Sequence, residues 1–135
     1  MKIVVIKEFD NTSERIEEIK NEIEKKALLN KEDSKISDKD FIFTTEEHHL
    51  EDSKEIIGTM VLKKVDDKVY KINKINLLEN RRNLGLGGAM VKYALEVVKK
   101  NCGKSIIVDD DKMLKDFYIK LGFIQDKNNK LIMNI

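Results

Sequence analysis

One stretch constrains the chain more than any other: Leu77 to Val98, LLENRRNLGLGGAMVKYALEVV. An apolar strand end runs into a short basic turn, and the turn opens straight into a helix. In that helix Leu86, Ala89, Met90, Tyr93, Ala94, Val97 and Val98 recur at helical spacing. Gly85, Gly87 and Gly88 sit where turn becomes helix; without side chains they let a ligand approach the backbone closely. The first amides of a helix have no internal partner, and the helix dipole is positive there. Strand, glycines, arginine and helix start together make an anion site, most often one for phosphate. Arg81 and Arg82 add positive charge and fork-shaped donors.

Three phosphate loops could be meant. A Walker A loop needs Lys then Ser or Thr after its last glycine, where this chain has Ala89 and Met90. The dinucleotide fingerprint started at Gly85 would require Gly or Ala at Met90, and an early strand-helix-strand unit. The third fits: Arg82-Asn83-Leu84-Gly85-Leu86-Gly87 resembles the R/Q-x-x-G-x-G/A signature of the GCN5-related N-acetyltransferases, the GNAT family. On the turn alone, a strand-to-helix turn that binds nothing stays open.

At 135 residues the chain reads as one domain over 1–135, large enough for a sizeable core. Lys and Arg (26) nearly cancel Asp and Glu (25), which argues against a general nucleic-acid or membrane binder. No apolar run approaches the ~20 residues of a membrane span, and no signal-peptide pattern opens the chain. Cys102 stands alone, so neither a disulfide framework nor a cysteine zinc site is expected. The expectation is a soluble, cytoplasmic protein.

Taken in order, Met1 to Lys7 reads as a strand. Asn11 and Glu14 form a capping-box pattern ahead of an amphipathic helix reaching about Leu29, with Ile16, Ile19, Ile23 and Ala27 on its apolar face. Its charged face is expected to be solvated. Asn30 to Asp40 is polar and reads as loop. Phe41 to Thr45 is strand-like, Glu46 to Lys54 a hairpin turn or strand end, and Ile56 to Val65 the next strand. Val69 to Leu78 follows as a fourth. There Tyr70 and Ile72 alternate in one phase and Ile75 and Leu77 in the other. If all four face one side, an extra residue, a β-bulge, lies near Asn73-Lys74. After the helix of Leu86 to Lys100, Cys102-Gly103 reads as a glycine-capped helix end. Then come a short strand (Ser105 to Val108), a helix from about Asp111 and a last strand (Leu131 to Ile135). The order β-α-βββ-α-β-α-β(β) predicts an α/β protein with a mixed sheet, helices on both faces, and a parallel crossover from the fourth strand to the fifth.

A second segment strengthens the resemblance. Asp116 to Phe123, DFYIKLGF, is similar to the GNAT F-Y-x-K-x-G-F segment and lies at the family's usual distance from the first. The resemblance implies the GNAT fold with a splayed central sheet, acetyl-CoA as cosubstrate, no metal, and acetyl transfer to a primary amine. It places the cofactor against the backbone of Ile75, Asn76 and Leu77, the turn Arg82, Asn83, Leu84, Gly85, Leu86, Gly87 and Gly88, and the side of Asp111, Leu114 and Phe117. It makes Tyr118 the acid for the leaving thiolate. Asp111 stands where the family usually has Asn, and Leu114 where it has Ala.

The family's strand-four Glu falls at about Lys71. Glu46, Glu47, His48 and His49, on the second strand or its end, are substitutes, of which Glu46 or Glu47 is taken as base, acting directly or through water. His48 and His49, adjacent on a strand, would point to opposite faces and make a poor metal pair. Two other readings stay open: a catalytically silent coenzyme A-binding or regulatory domain on the same fold, and a small α/β module for another phosphorylated ligand. The acceptor is a small-molecule amine or a protein or peptide amine, and a homodimer stays open beside a monomer.

Overall fold

The computed structural model describes residues 2–8, 16–26, 40–49, 53–108 and 114–135. Seven strands form one sheet in the order β1-β2-β3-β4-β5-β7-β6. In chain order the elements are β1 (Lys2–Glu8), α1 (Ile16–Lys25), β2 (Asp40–His49), β3 (Lys54–Lys64), β4 (Val69–Leu77), α2 (Leu86–Lys100), β5 (Ser105–Val108), α3 (Lys115–Lys120), β6 (Ile124–Gln125) and β7 (Leu131–Asn134). A short 3-10 turn, Glu79–Arg81, joins β4 to the loop before α2. All neighbours pair antiparallel except β4 and β5, which are parallel, as the crossover between them predicts. The Asn11–Glu14 pattern, the helix tail toward Leu29, most of the polar stretch after it, and Asp111 lie outside the described residues.

Period-two alternation sorts the core onto two faces. Ile42 and Val61, paired across β2 and β3, join Ile23 of α1 and Ile56 in a small cluster. Their strand neighbours Phe43 and Met60 point the other way, into the main core with Met90, Ala94 and Val98 of α2 and Tyr118 of α3. Helix α1 thus covers one face, α2 and α3 the other. Each fully buried large apolar side chain contributes roughly 1.5–3 kcal/mol through the water it sheds. The amphipathic pattern is therefore what fixes each helix to its face.

Two bulges bend the central strands. On β4, Leu62 pairs with Ile72 and Val61 with Lys74, so Asn73 is the extra residue. This is the predicted bulge: Tyr70, Ile72, Ile75 and Leu77 all reach the main core. The second was not anticipated. Thr45 pairs with Gly58 and Glu46 with Ile56, leaving Ile57 as the extra residue on β3. A bulge breaks the ladder locally, and α1 supplies partners there. Ile56 N–H donates to Glu22 Oε2 at 3.1 Å, and Ile56 O accepts from Lys26 Nζ at 3.0 Å. The charged face of α1 is therefore partly engaged with the sheet, not simply solvated.

One local expectation is resolved and one corrected. Of the two alternatives for Glu46 onward, the strand end holds as far as His49 and the hairpin turn does not. At the end of α2 the left-handed residue is Cys102 (φ 62°), not Gly103. Cys102 N–H donates to Lys99 O and Gly103 N–H to Val98 O, at 3.1 and 2.8 Å, the Schellman pattern. Gly103 is small for a different reason: a Cβ there would lie 2.4 Å from Val98 Cγ1.

Candidate functional site

The pairing of β4 with β5 runs from Val69–Ser105 to Ile72–Val108. The Asn73 bulge follows immediately, and among the described residues Lys74 to Leu77 pair with β3 alone. The described part of β5 thus ends level with Ile72, just ahead of the bulge that precedes the glycine-rich turn. Beyond Leu77 the chain makes the 3-10 turn, takes left-handed conformations at Asn83 (φ 64°) and Gly85 (φ 78°), and enters α2. Among the described residues no side chain caps α2, and its first turn holds no acid. The amides at Leu86, Gly87 and Gly88 therefore present an uncompensated positive helix end. Lys99 and Lys100 sit in the last turn, where the dipole favours cations.

The glycines differ in what they do. Around Gly85 a Cβ would meet nothing within 4 Å, but its positive φ suits glycine. At Gly87 a Cβ would lie 3.1 Å from Phe117 Cζ and 3.9 Å from Leu77 Cδ1. Gly87 is thus also small for contact with the chain's own Phe117, beside the ligand approach expected of it. Through this contact the two sequence segments that carry the resemblance meet in space. Leu114, half-buried just ahead of α3, packs against the same core.

The DFYIKLGF segment has its own local logic. Gly122 (φ 106°) follows the end of α3, with Gly122 N–H donating to Ile119 O and Phe123 N–H to Tyr118 O. This is again a Schellman motif, and such motifs bring the residue after the glycine back against the last turn. Here Phe123 lies edge-on to Tyr118, ring centroids 5.2 Å apart, and Phe117 does the same at 5.0 Å. Tyr118 is only 1% exposed and belongs to the main core.

The arginines divide. Arg82 is exposed, its Nε donating to Leu77 O at 3.3 Å. Arg81 turns inward instead, donating from Nε to Glu47 Oε2 at 2.6 Å and from a terminal guanidinium nitrogen to Glu47 Oε1 at 2.9 Å. Glu47 is 1% exposed. The hydrogen bond to Glu47, together with the Glu47 and Glu55 charges, raises the Arg81 pKa above its ordinary value against the opposing effect of burial. Arg81 therefore adds no free charge for an anion, contrary to the sequence expectation.

The predicted β2 acids are both buried and both engaged. Glu46 accepts from Lys7 Nζ at 3.2 Å and lies 2.9 Å from His48 Nε2. Glu47 lies 3.6 Å from His49 Nε2 in addition to its grip on Arg81. The two Glu–His pairs fall on opposite faces, as adjacent strand positions require. Glu47, His49 and Glu55 also gather ligand-type atoms within 4.8 Å of one another, but Arg81 already supplies the cation they attract. Nothing in the sequence marked the Glu47–Arg81 pair, because paired and solvated charges look alike as letters.

Comparison with known proteins agrees with this architecture. A profile of the acetyltransferase (GNAT) family matches residues 8–123. No curated protein matches the chain. Among solved structures, Tetrahymena GCN5 superposes with a TM-score of 0.74 at 11% identity, covering 97% of this chain and 96% of its own. A GNAT family acetyltransferase from Elizabethkingia anophelis with acetyl-CoA bound gives 0.66 at 16%, covering 98% of each. An aminoglycoside 6'-N-acetyltransferase complexed with coenzyme A gives 0.66 at 14%, covering 97% of this chain and 96% of its own. With the family profile spanning both motif segments and the bulged fourth strand, the chain belongs to the GNAT family of acetyltransferases.

Proposed function

We propose that residues 1–135 work as one cytoplasmic acetyltransferase domain that moves an acetyl group from acetyl-CoA to a primary amine. The observation that carries this reading is the Asn73 bulge on β4, directly ahead of a helix start with no side-chain cap among the described residues. In this reading the bulge opens the sheet for a thin pantetheine arm, and the amides of α2 suit its pyrophosphate. Acetyl-CoA bound by one structural neighbour and coenzyme A by another support the same choice of cosubstrate.

In this reading the amine, pKa near 10, loses a proton and attacks the thioester carbon, and the C–N bond forms as the C–S bond breaks. A backbone N–H in Ile75 to Leu77 stabilises the oxygen as it gains charge. Tyr118 gives its phenol proton to the departing thiolate, and the Phe117 and Phe123 rings hold it in one place. Both β2 acids are engaged, but the Lys7 and His48 side chains on Glu46 are 48% and 30% exposed, against 19% for Arg81 on Glu47. Glu46 is therefore the acid that water reaches more readily and is assigned as the base, working through water.

The ion pairs on Glu46 and Glu47 also favour a second reading, a coenzyme A-binding domain without turnover. Incubation with acetyl-CoA and a panel of polyamines, aminoglycosides, amino acids and lysine peptides separates the two, with release of free thiol as readout. Thiol release that depends on an amine supports transfer. Cofactor binding with no release on any amine supports the silent domain.

A further inference from the structure

We infer that Glu47 is a positioning residue for the cofactor turn, acting through Arg81. The inference rests on the coenzyme A reading of that turn.

The turn has few anchors. At its near end Leu78 N–H donates to Ile57 O at 2.9 Å, and Arg81 N–H closes the 3-10 turn onto Leu78 O at 2.9 Å. Arg82 N–H reaches Glu79 O at 3.3 Å, still within the turn. Past Arg82, among the described residues, no hydrogen bond ties Asn83 or Leu84 to the sheet, and α2 begins without a side-chain cap. Arg82 Nε reaches back only to Leu77 O of β4, at 3.3 Å. Among the described residues the Arg81 guanidinium is therefore the side chain that fastens the segment to a strand beyond β4 and β3. The guanidinium is fastened by both oxygens of a carboxylate that is itself buried in β2, two strands away from β4.

A two-pronged arginine–carboxylate contact fixes direction as well as distance, which a lysine could not do. The next residue, Arg82, and the α2 amides must be aimed together at one pyrophosphate. A turn held in its bound shape loses less freedom when the cofactor arrives, so the pair raises affinity without touching the ligand. The extra residue Ile57 on β3 belongs to the same device. Its carbonyl holds Leu78, and the register break lies between Thr45 and Glu46, next to Glu47.

Isothermal titration of coenzyme A into the wild-type protein, Glu47→Gln, Arg81→Gln and the double variant tests this, with melting curves recorded for each. Each single variant is expected to raise the coenzyme A Kd about ten-fold, and the double no further, because one coupled contact is lost in every case. At saturating acetyl-CoA the rate should stay within about three-fold of wild type, since the pair makes no transition-state contact. Should Glu47→Gln not fold, Glu47→Asp keeps the charge but shortens the reach, and the same rise is expected. An unchanged Kd in a folded Glu47 variant overturns the inference, whatever happens to Tm. So does weakening by Arg81→Gln alone, which would mean that Arg81 meets the cofactor itself. If wild type binds no coenzyme A, the cofactor reading fails and this inference fails with it. Wild-type binding with unaltered variants sinks only the inference.

Discussion

Gly87 lies against the ring of Phe117: a Cβ added to the glycine would meet Phe117 Cζ at 3.1 Å. This contact ties the start of α2 to α3. Gly87→Ala gains about 1 kcal/mol in helix propensity. It loses about 1–3 kcal/mol to overpacking, so a net fall in Tm is expected, and a larger one for Gly87→Val. Thermal melts decide it. A rise in Tm for Gly87→Ala would show that the ring yields freely.

Asn73 is the extra residue on β4. Deleting it leaves Ile72, Lys74 and Ile75 in regular alternation, with every apolar side chain still facing the core. The fold should survive, with a Tm change under about 5 °C. Acetyl transfer should fall on the order of 10²-fold or more, because the reactants are no longer held in line. A deletion variant of full activity would remove the bulge from the mechanism.

Much of this arrangement was legible in the sequence, and particular residues show why. The bulge could be read because Tyr70, Ile72, Ile75 and Leu77 break phase at a single point, and burial enforces the phase. Helix α2 could be read to the residue because its apolar spacing and its glycines agree. Glu46 and Glu47 could be read only as strand end or turn, because the two share the same polar letters, and their burial could not be read at all. What buries them is a set of partners far along the chain, Lys7 for one and Arg81 for the other. The Ile57 bulge was invisible for a similar reason. Its cause is a partner helix supplying Glu22 and Lys26, not any break in the pattern of β3 itself. Cys102 took the left-handed cap expected of Gly103 because Gly103 is needed as empty space beside Val98 and Tyr70.

Thr45 Oγ1 is fully buried and finds no hydrogen-bond partner among the described residues. Thr45→Val keeps the β-branched shape and removes the unmet polar atom. A gain on the order of 1 kcal/mol is expected, read as a higher urea midpoint. A loss would mean that the hydroxyl is satisfied in solution.

Tyr118→Phe keeps both edge-on ring contacts and loses only the hydroxyl. Acetyl transfer should fall on the order of 10²-fold if the phenol is the acid. Tyr118→Ala, by contrast, opens a core cavity and should cost about 3–5 kcal/mol of stability. A Tyr118→Phe enzyme with full turnover ends the general-acid role and leaves the fold standing.

The central claim is that the turn from Arg82 to Gly88 holds coenzyme A. Titration calorimetry of coenzyme A into wild type and Arg82→Ala tests it most directly. Saturable one-to-one binding is expected for wild type. Removing one charge-assisted contact in Arg82→Ala should weaken it by about 1.5–3 kcal/mol. No binding to wild type, equal affinity in the variant, or binding of ATP or NAD in preference to coenzyme A would contradict it.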